Sequence, residues 1–249
     1  MRRLLILTRA LLLVQLRNKM VLFWNLLFPL FLLIIYALIF GQEQMGGPEF
    51  VTWILPGVIV LNILSFGLIG SASTMVEMRE RGVLRRLQAT PAPAGVLVGA
   101  YLGVNLLLCL LQSLALLLAA VLLLGFRPTL GSLILALPMI LLATLLALAL
   151  GQVVSGVAVK AGVALALGQT LYFSQMFTTD LVVPLGMLPP SLQTAANFLP
   201  GYSMVQLVRP PLLSGELAPD VGFYLALALA YTAAAGLLAA RLFRWTPKE

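Results

Sequence analysis

Residues 75–93 read MVEMRERGVLRRLQATPAP: four arginines within eight positions, then a turn bracketed by Pro91 and Pro93. Long apolar stretches, VTWILPGVIVLNILSFGLIG (51–70) before it and AGVLVGAYLGVNLLLCLLQ (94–112) after it, enclose this charge. Where a chain places such a cluster between such stretches decides its fold.

The 249 residues are 61% hydrophobic and 9% charged, whereas soluble domains are about 45–50% apolar and about 25% charged. This is the composition of a polytopic membrane protein. The formal net charge of +7 does not point to nucleic acid, because the basic residues fall between apolar runs with no soluble domain to carry them. The single cysteine, Cys109, lies in an apolar run and reads as a small buried hydrophobe. There is no histidine, which removes the commonest metal ligand and the side chain best suited to titrate near neutral pH. The basic N-terminus continues into a second long apolar run with no small-residue cleavage site, so it reads as mature structure and not as a signal peptide.

Working outward from the cluster, spans of about 20 apolar residues are expected at 20–40, 52–76, 94–124, 131–154, 163–180 and 219–240. The first carries Pro29, a candidate kink. Residues 1–19 carry Arg2, Arg9 and Arg17 at near-heptad spacing among leucines, the pattern of an amphipathic helix lying in the membrane interface. The stretch 181–216 is too apolar for an open loop and too rich in proline for a straight span. It is expected to form short re-entrant helices at the outer surface. The fold class is therefore an all-α membrane protein of six spans and a single transmembrane domain, with no internal repeat.

Six spans put both termini on one side. Thirteen Lys and Arg fall on that side and only Arg127 and Arg209 on the other, which places both termini and the arginine cluster in the cytoplasm. Glu43, Glu49, Asp180, Glu216 and Asp220 fall outside.

Topology alone accounts for many basic loops. Here the order says more. Val83, Leu84 and Leu87 share one helical face, Arg81, Arg85 and Gln88 another, and Thr90-Pro91 stops the helix. A short amphipathic helix pinned between rigid spans could dock into a groove on a soluble partner, apolar side chains anchoring and arginines pairing with an acidic rim.

The run Arg79, Glu80, Gly82, Leu84, Arg86, Leu87, Thr90 and Pro91 resembles the signature of type-2 ATP-binding-cassette exporter permeases of the drug-resistance and polysaccharide-export kind. The basic interfacial helix, six spans and broken outer segment extend the likeness over the whole chain. One departure is Gly99-Ala100-Tyr101, where family members often carry a lysine after the glycine. The resemblance implies a bacterial inner-membrane subunit whose 77–92 segment is a cytoplasmic coupling helix docked on a separate ATPase. Glu80, Arg81, Leu84, Arg85 and Leu87 would touch that ATPase, and Lys160 would make a second, minor contact. It also implies a dimer of permeases, identical or related, with two ATPase subunits that hold the ATP and magnesium.

The chain itself has no phosphate-binding GxxxxGK[ST] loop; none of its three lysines follows a glycine. It needs no cofactor of its own and is expected not to be an enzyme. By the same resemblance spans 1, 2 and 5 line the route between two copies. Asn25, Asn62, Ser65, Gln169, Thr170, Ser174 and Gln175 offer polar groups there, and Tyr172, Phe173, Met176 and Phe177 an apolar wall. Such a lining suits lipophilic or amphipathic cargo: a drug, a lipid or a lipid-linked glycan. Each Asn or Gln could equally serve as inter-helix hydrogen-bond glue, worth about 0.6 kcal/mol. Gly99 and Gly103 form a GxxxG at the start of span 3, a motif of close helix approach. Trp24, Trp53 and Trp245 fall near interfaces, as belt anchors do.

Two other readings use the same features: a proton-linked carrier of hydrophobic compounds, and a membrane scaffold that recruits a soluble protein through the arginine helix. The first is disfavoured by spans nearly free of ionisable groups at mid-depth.

Overall fold

The computed structural model of the chain describes residues 47–88, 94–181 and 185–243, with isolated positions Leu12, Leu30, Phe31, Leu33–Ile35 and Leu38. The expected interfacial helix, span 1 with Pro29, and Asn25 lie outside the described residues, those isolated positions apart. So do Trp24 and Trp245.

Every regular element among the described residues is helical. Span 2 is one rod built from α1 (Gly47–Ser65), a π-helical turn (Phe66–Ser71) and α2 (Ala72–Glu80). A short α3 (Val83–Gln88) follows. Then come α4 (Ala94–Leu124), α5 (Leu130–Val157) and α6 (Ala161–Thr178). A 3-10 turn (Leu185–Met187), α7 (Pro190–Ala196) and α8 (Pro200–Ser214) make the broken outer segment, and α9 (Val221–Leu242) completes the chain.

Among the described residues four helices are long and apolar enough to cross a bilayer: Trp53–Glu80, Val98–Leu123, Leu130–Val157 and Val221–Leu242. These match the expected spans 2, 3, 4 and 6, and the chain is a multi-pass membrane protein. The helix at span 5, α6, carries Gln169, Thr170, Tyr172, Ser174 and Gln175 within 18 residues, which lowers its apolar content below that of the other four.

The bundle is sorted by depth of burial. The most apolar window of span 2 is 83% buried and that of α9 only 11%, so span 2 is core and α9 is periphery. A helix apolar on all sides belongs inside, and span 2 qualifies until its last turn. The hub it packs on is α5, which also meets α4, α6, α8 and α9. Leucines at 111, 118, 137, 141 and 237 are exposed on the perimeter; on a soluble protein they would be an aggregation patch, whereas the hydrocarbon of a bilayer accommodates them. Cys109 is buried, as its surroundings suggested.

Backbone-to-backbone contacts close the core. A Cβ at Gly67 would overlap Ala147, one at Gly151 would overlap the Gly67 carbonyl, and one at Gly168 the Leu68 carbonyl. All three approaches converge on the π-helical turn, whose wider backbone brings span 2 against α5 and α6 together. At the GxxxG, nothing among the described residues lies within 4 Å of a Cβ at Gly99 or Gly103. Close packing uses glycines of spans 2, 4 and 5 instead.

α8 is the buried part of the outer segment, with Tyr202, Met204, Val205, Leu207 and Val208 inside. It packs against α5, α9 and α1. That burial satisfies a non-spanning helix at membrane depth.

Candidate coupling surface and path

Span 2 stays helical through its charged end because Ala72, Met75, Val76 and Arg79 continue one buried face. The chain then breaks at Gly82, whose φ of +69° suits glycine. The Gly82 amide donates to the Arg79 carbonyl at 3.1 Å, and the Gly82 carbonyl accepts from the Arg86 amide at 3.1 Å to start α3. The break redirects the chain so that the apolar face of α3 returns to the bundle. Leu84 is 4% exposed and packs with Met75 and Tyr101, near Met78, Leu102 and Phe243.

Leu84, expected on the docking face, is buried here and anchors α3 to its own chain. Glu80, Arg81, Arg85 and Arg86 are exposed. Arg81 pairs with Glu77 one turn back at 2.5 Å, but the side chains are 74% and 47% exposed, so the pair contributes little and leaves charge facing outward. Leu87 falls in α3; its side chain is outside the described set.

Arg79 is the residue that sequence reasoning left without a role. It is buried, and donates from Nη2 to the Ser155 carbonyl at 2.7 Å and from Nη1 to the Ala158 carbonyl at 3.2 Å. These are carbonyls at the C-terminal end of α5, where a cation also meets the negative end of the helix dipole. The signal was legible as the i, i+3, i+4 continuation of Ala72, Met75 and Val76. Lys160 lies two residues past Ala158 at the N-cap of α6, exposed. The α2–α3 turn and the 155–160 loop are therefore one surface, as the sequence required of two loops on one side. Gly156 meets Leu242, bringing the end of α9 to the same place.

That end carries Arg79, Arg81, Arg85, Arg86, Lys160 and Arg241 against Glu77 and Glu80. The other end carries Arg127 and Arg209 against Glu49, Asp180, Glu216 and Asp220. The two ends thus differ in sign. At the acidic end Arg209 forms a half-buried ion pair with Asp180, donates from Nη2 to the Asp180 carbonyl at 2.6 Å, and stacks on Trp53 with its guanidinium 4.4 Å from the ring centroid. Asp180 adopts φ +58°, and its Oδ1 accepts from the Leu185 amide at 2.9 Å.

The residues expected on the path separate into two groups. Asn62 is buried and Ser65 half-buried within span 2. Gln175 is buried, and its Oε1 accepts the Gly201 amide at 2.8 Å, capping the first turn of α8. On α6 only a narrow stripe of Ala164, Gly168 and Gln175 is buried. Gln169 and Phe173 are exposed, Tyr172 and Met176 half-buried. The Tyr172 and Phe173 rings meet edge-on at 5.5 Å. Thr170 and Ser174 are exposed too, but their hydroxyls donate to the carbonyls of Ala166 and Leu171 of their own helix, which satisfies them in lipid. The Gln169 side chain makes no hydrogen bond among the described residues.

A family model described as ABC-2 type transporter matches residues 2–213. No curated protein matches the chain.

Proposed function

The chain belongs to the ABC-2 type transporter family, and on that premise we propose that it is the permease subunit of an ATP-driven exporter of lipophilic or amphipathic compounds. Family membership brings with it a partner that binds ATP. In this reading six spans cross a bacterial inner membrane with both termini in the cytoplasm, and ATP and its magnesium belong to the partner. The partner docks on Glu80, Arg81, Arg85, Leu87 and Lys160, with Arg86 beside them.

The observation that carries the reading is the placement of the α3 arginines. α3 is too short to fold alone, yet Leu84 fixes it and Arg79 ties its base to α5 and to the Lys160 loop. Force applied to the exposed guanidiniums is therefore delivered to spans 2, 4 and 5 together. Two copies facing each other through α6 would cover Gln169, Tyr172, Phe173 and Met176. A primary amide facing hydrocarbon is costly, and a polar route between copies removes that cost.

The test is co-purification with the ATPase from the same host, followed by ATP-driven export from inverted vesicles of a lipophilic dye. Export that needs hydrolysis supports the proposal. Export that persists without any ATPase and stops with the proton gradient overturns it in favour of a carrier.

A further inference from the structure

The lateral surface holds a groove of about 530 Å³ between α4, α5 and α9, a volume in the range of small-molecule sites. It lies on the face of α5 bearing Leu145, Leu148, Ala149 and Gln152, turned away from Ala147 and Gly151, which meet span 2. Its depth comes from small residues: Gly103 on α4, Ala149 on α5, and Gly236, Ala239 and Ala240 on α9. The unpacked Gly103 of the GxxxG thus makes room and does not make a helix contact.

Three observations say what fills it. First, Gln152 and Thr232 are the polar side chains on its wall, and both are engaged. Gln152 Nε2 donates to Ser71 Oγ at 3.1 Å and Thr232 Oγ1 to the Ala228 carbonyl at 2.7 Å. One Gln152 amide N–H is left over in an otherwise apolar wall, so the groove fits an alkyl chain and holds water poorly. Second, it is continuous with the lipid-facing perimeter, where Leu141, Leu237 and Leu238 are exposed. Third, its length is that of one leaflet. From Val98 to Leu106 on α4 it runs eight residues, about 12 Å, and from Thr232 to Phe243 along α9 and its cap eleven, about 16 Å at 1.5 Å per residue. One leaflet supplies about 15 Å of hydrocarbon. It begins at Phe243, beside the Leu84 anchor, at the end carrying exposed Arg85, Arg86 and Arg241.

We propose that this groove is a resident-lipid site that takes one acyl chain of an anionic phospholipid from the leaflet at the arginine-rich end. The chain fills the space between α4 and α9, and the headgroup lies among the guanidiniums, where negative charge is favoured. The site stands apart from α6 and borders the docking surface at Arg85 and Arg86.

The full-length protein in nanodiscs is photolabelled with phosphatidylglycerol, and separately with phosphatidylcholine, each bearing a diazirine midway along one chain. The expected result is label from phosphatidylglycerol concentrated on peptides holding Gly103, Ala149 and Gly236, lost in Gly103→Leu and Gly236→Leu. A Cβ at either glycine meets nothing within 4 Å, so these variants fill the groove without disturbing the fold; circular dichroism checks this. Label spread evenly over the exposed leucines of α4 and α5, or unchanged in the filled variants, means annular lipid only and overturns the site. Equal labelling by the two headgroups overturns the anionic assignment. Displacement by an exported dye at concentrations that leave bulk lipid labelling unchanged makes the groove a cargo site and overturns the lipid assignment.

Discussion

Arg79 reaches across from the end of span 2 to the Ser155 carbonyl, 2.7 Å away, so the arginine cluster contains one member that faces inward and three that face out. A buried guanidinium on open helix-end carbonyls makes charge-assisted bonds, worth roughly 1.5–3 kcal/mol each. Arg79→Ala should lower the melting temperature and raise ATP consumed per molecule exported in the ATPase complex. Arg79→Lys should recover part of the stability. A melting temperature for Arg79→Ala equal to wild type would sink the strut.

The outward arginines should behave oppositely. Arg81→Glu with Arg85→Glu alters exposed charge, so insertion and melting should be unchanged while ATPase co-purification and ATP-driven export fall. Leu84→Ala is the contrast. It empties a packed site, a change that costs about 2–5 kcal/mol, and should reduce thermal stability before anything else. If the double charge reversal binds the ATPase normally, α3 is not the docking element.

Glycine substitutions separate packed from unpacked positions. Gly151→Ala places a methyl against the Gly67 carbonyl and should sharply reduce the monodisperse protein recovered by size-exclusion chromatography. Gly99→Ala meets open space and should behave as wild type. Equal yields would contradict the contact at the π-helical turn.

At the other end, Asp180→Asn leaves Arg209 half-buried beside Trp53 without its counter-charge. The cost should fall below the roughly 3–5 kcal/mol of breaking a fully buried pair. The double variant Asp180→Asn with Arg209→Met removes both charges and should be more stable than Asp180→Asn alone. A thermal-melt double-mutant cycle measures the coupling, and simple additivity of the two changes would refute it.

Two glutamines on α6 should part company. Gln175→Ala removes the acceptor for the Gly201 amide and should destabilise the protein. Gln169→Leu removes no side-chain bond among the described residues; it should leave melting intact and change export rate or cargo preference. Loss of stability from Gln169→Leu, with export per folded molecule unchanged, would assign it a packing role.

The helical class, the positions of spans 2, 3, 4 and 6, and the difference in charge between the two ends were legible in the chain because hydropathy and Lys/Arg counts act locally. So was the amphipathic pattern of α3. The direction that pattern faces was not: Leu84 and the arginines lie on opposite faces in either orientation, and only Tyr101 and Phe243, distant in sequence, decide which face turns inward. Gln169 and Gln175 likewise share a helix and a side chain, and differ only in what stands opposite.

Sequence by itself determined that this protein lives in lipid, where apolar spans lie and which loops share a side, since each depends on the cost of placing a residue in hydrocarbon. Tertiary structure alone decided which glycines touch, that Arg79 is a strut, that Gln175 caps a helix and that Gly103 opens a groove. Those roles depend on distances between helices far apart in the chain, and periodicity along one helix carries no information about its neighbour.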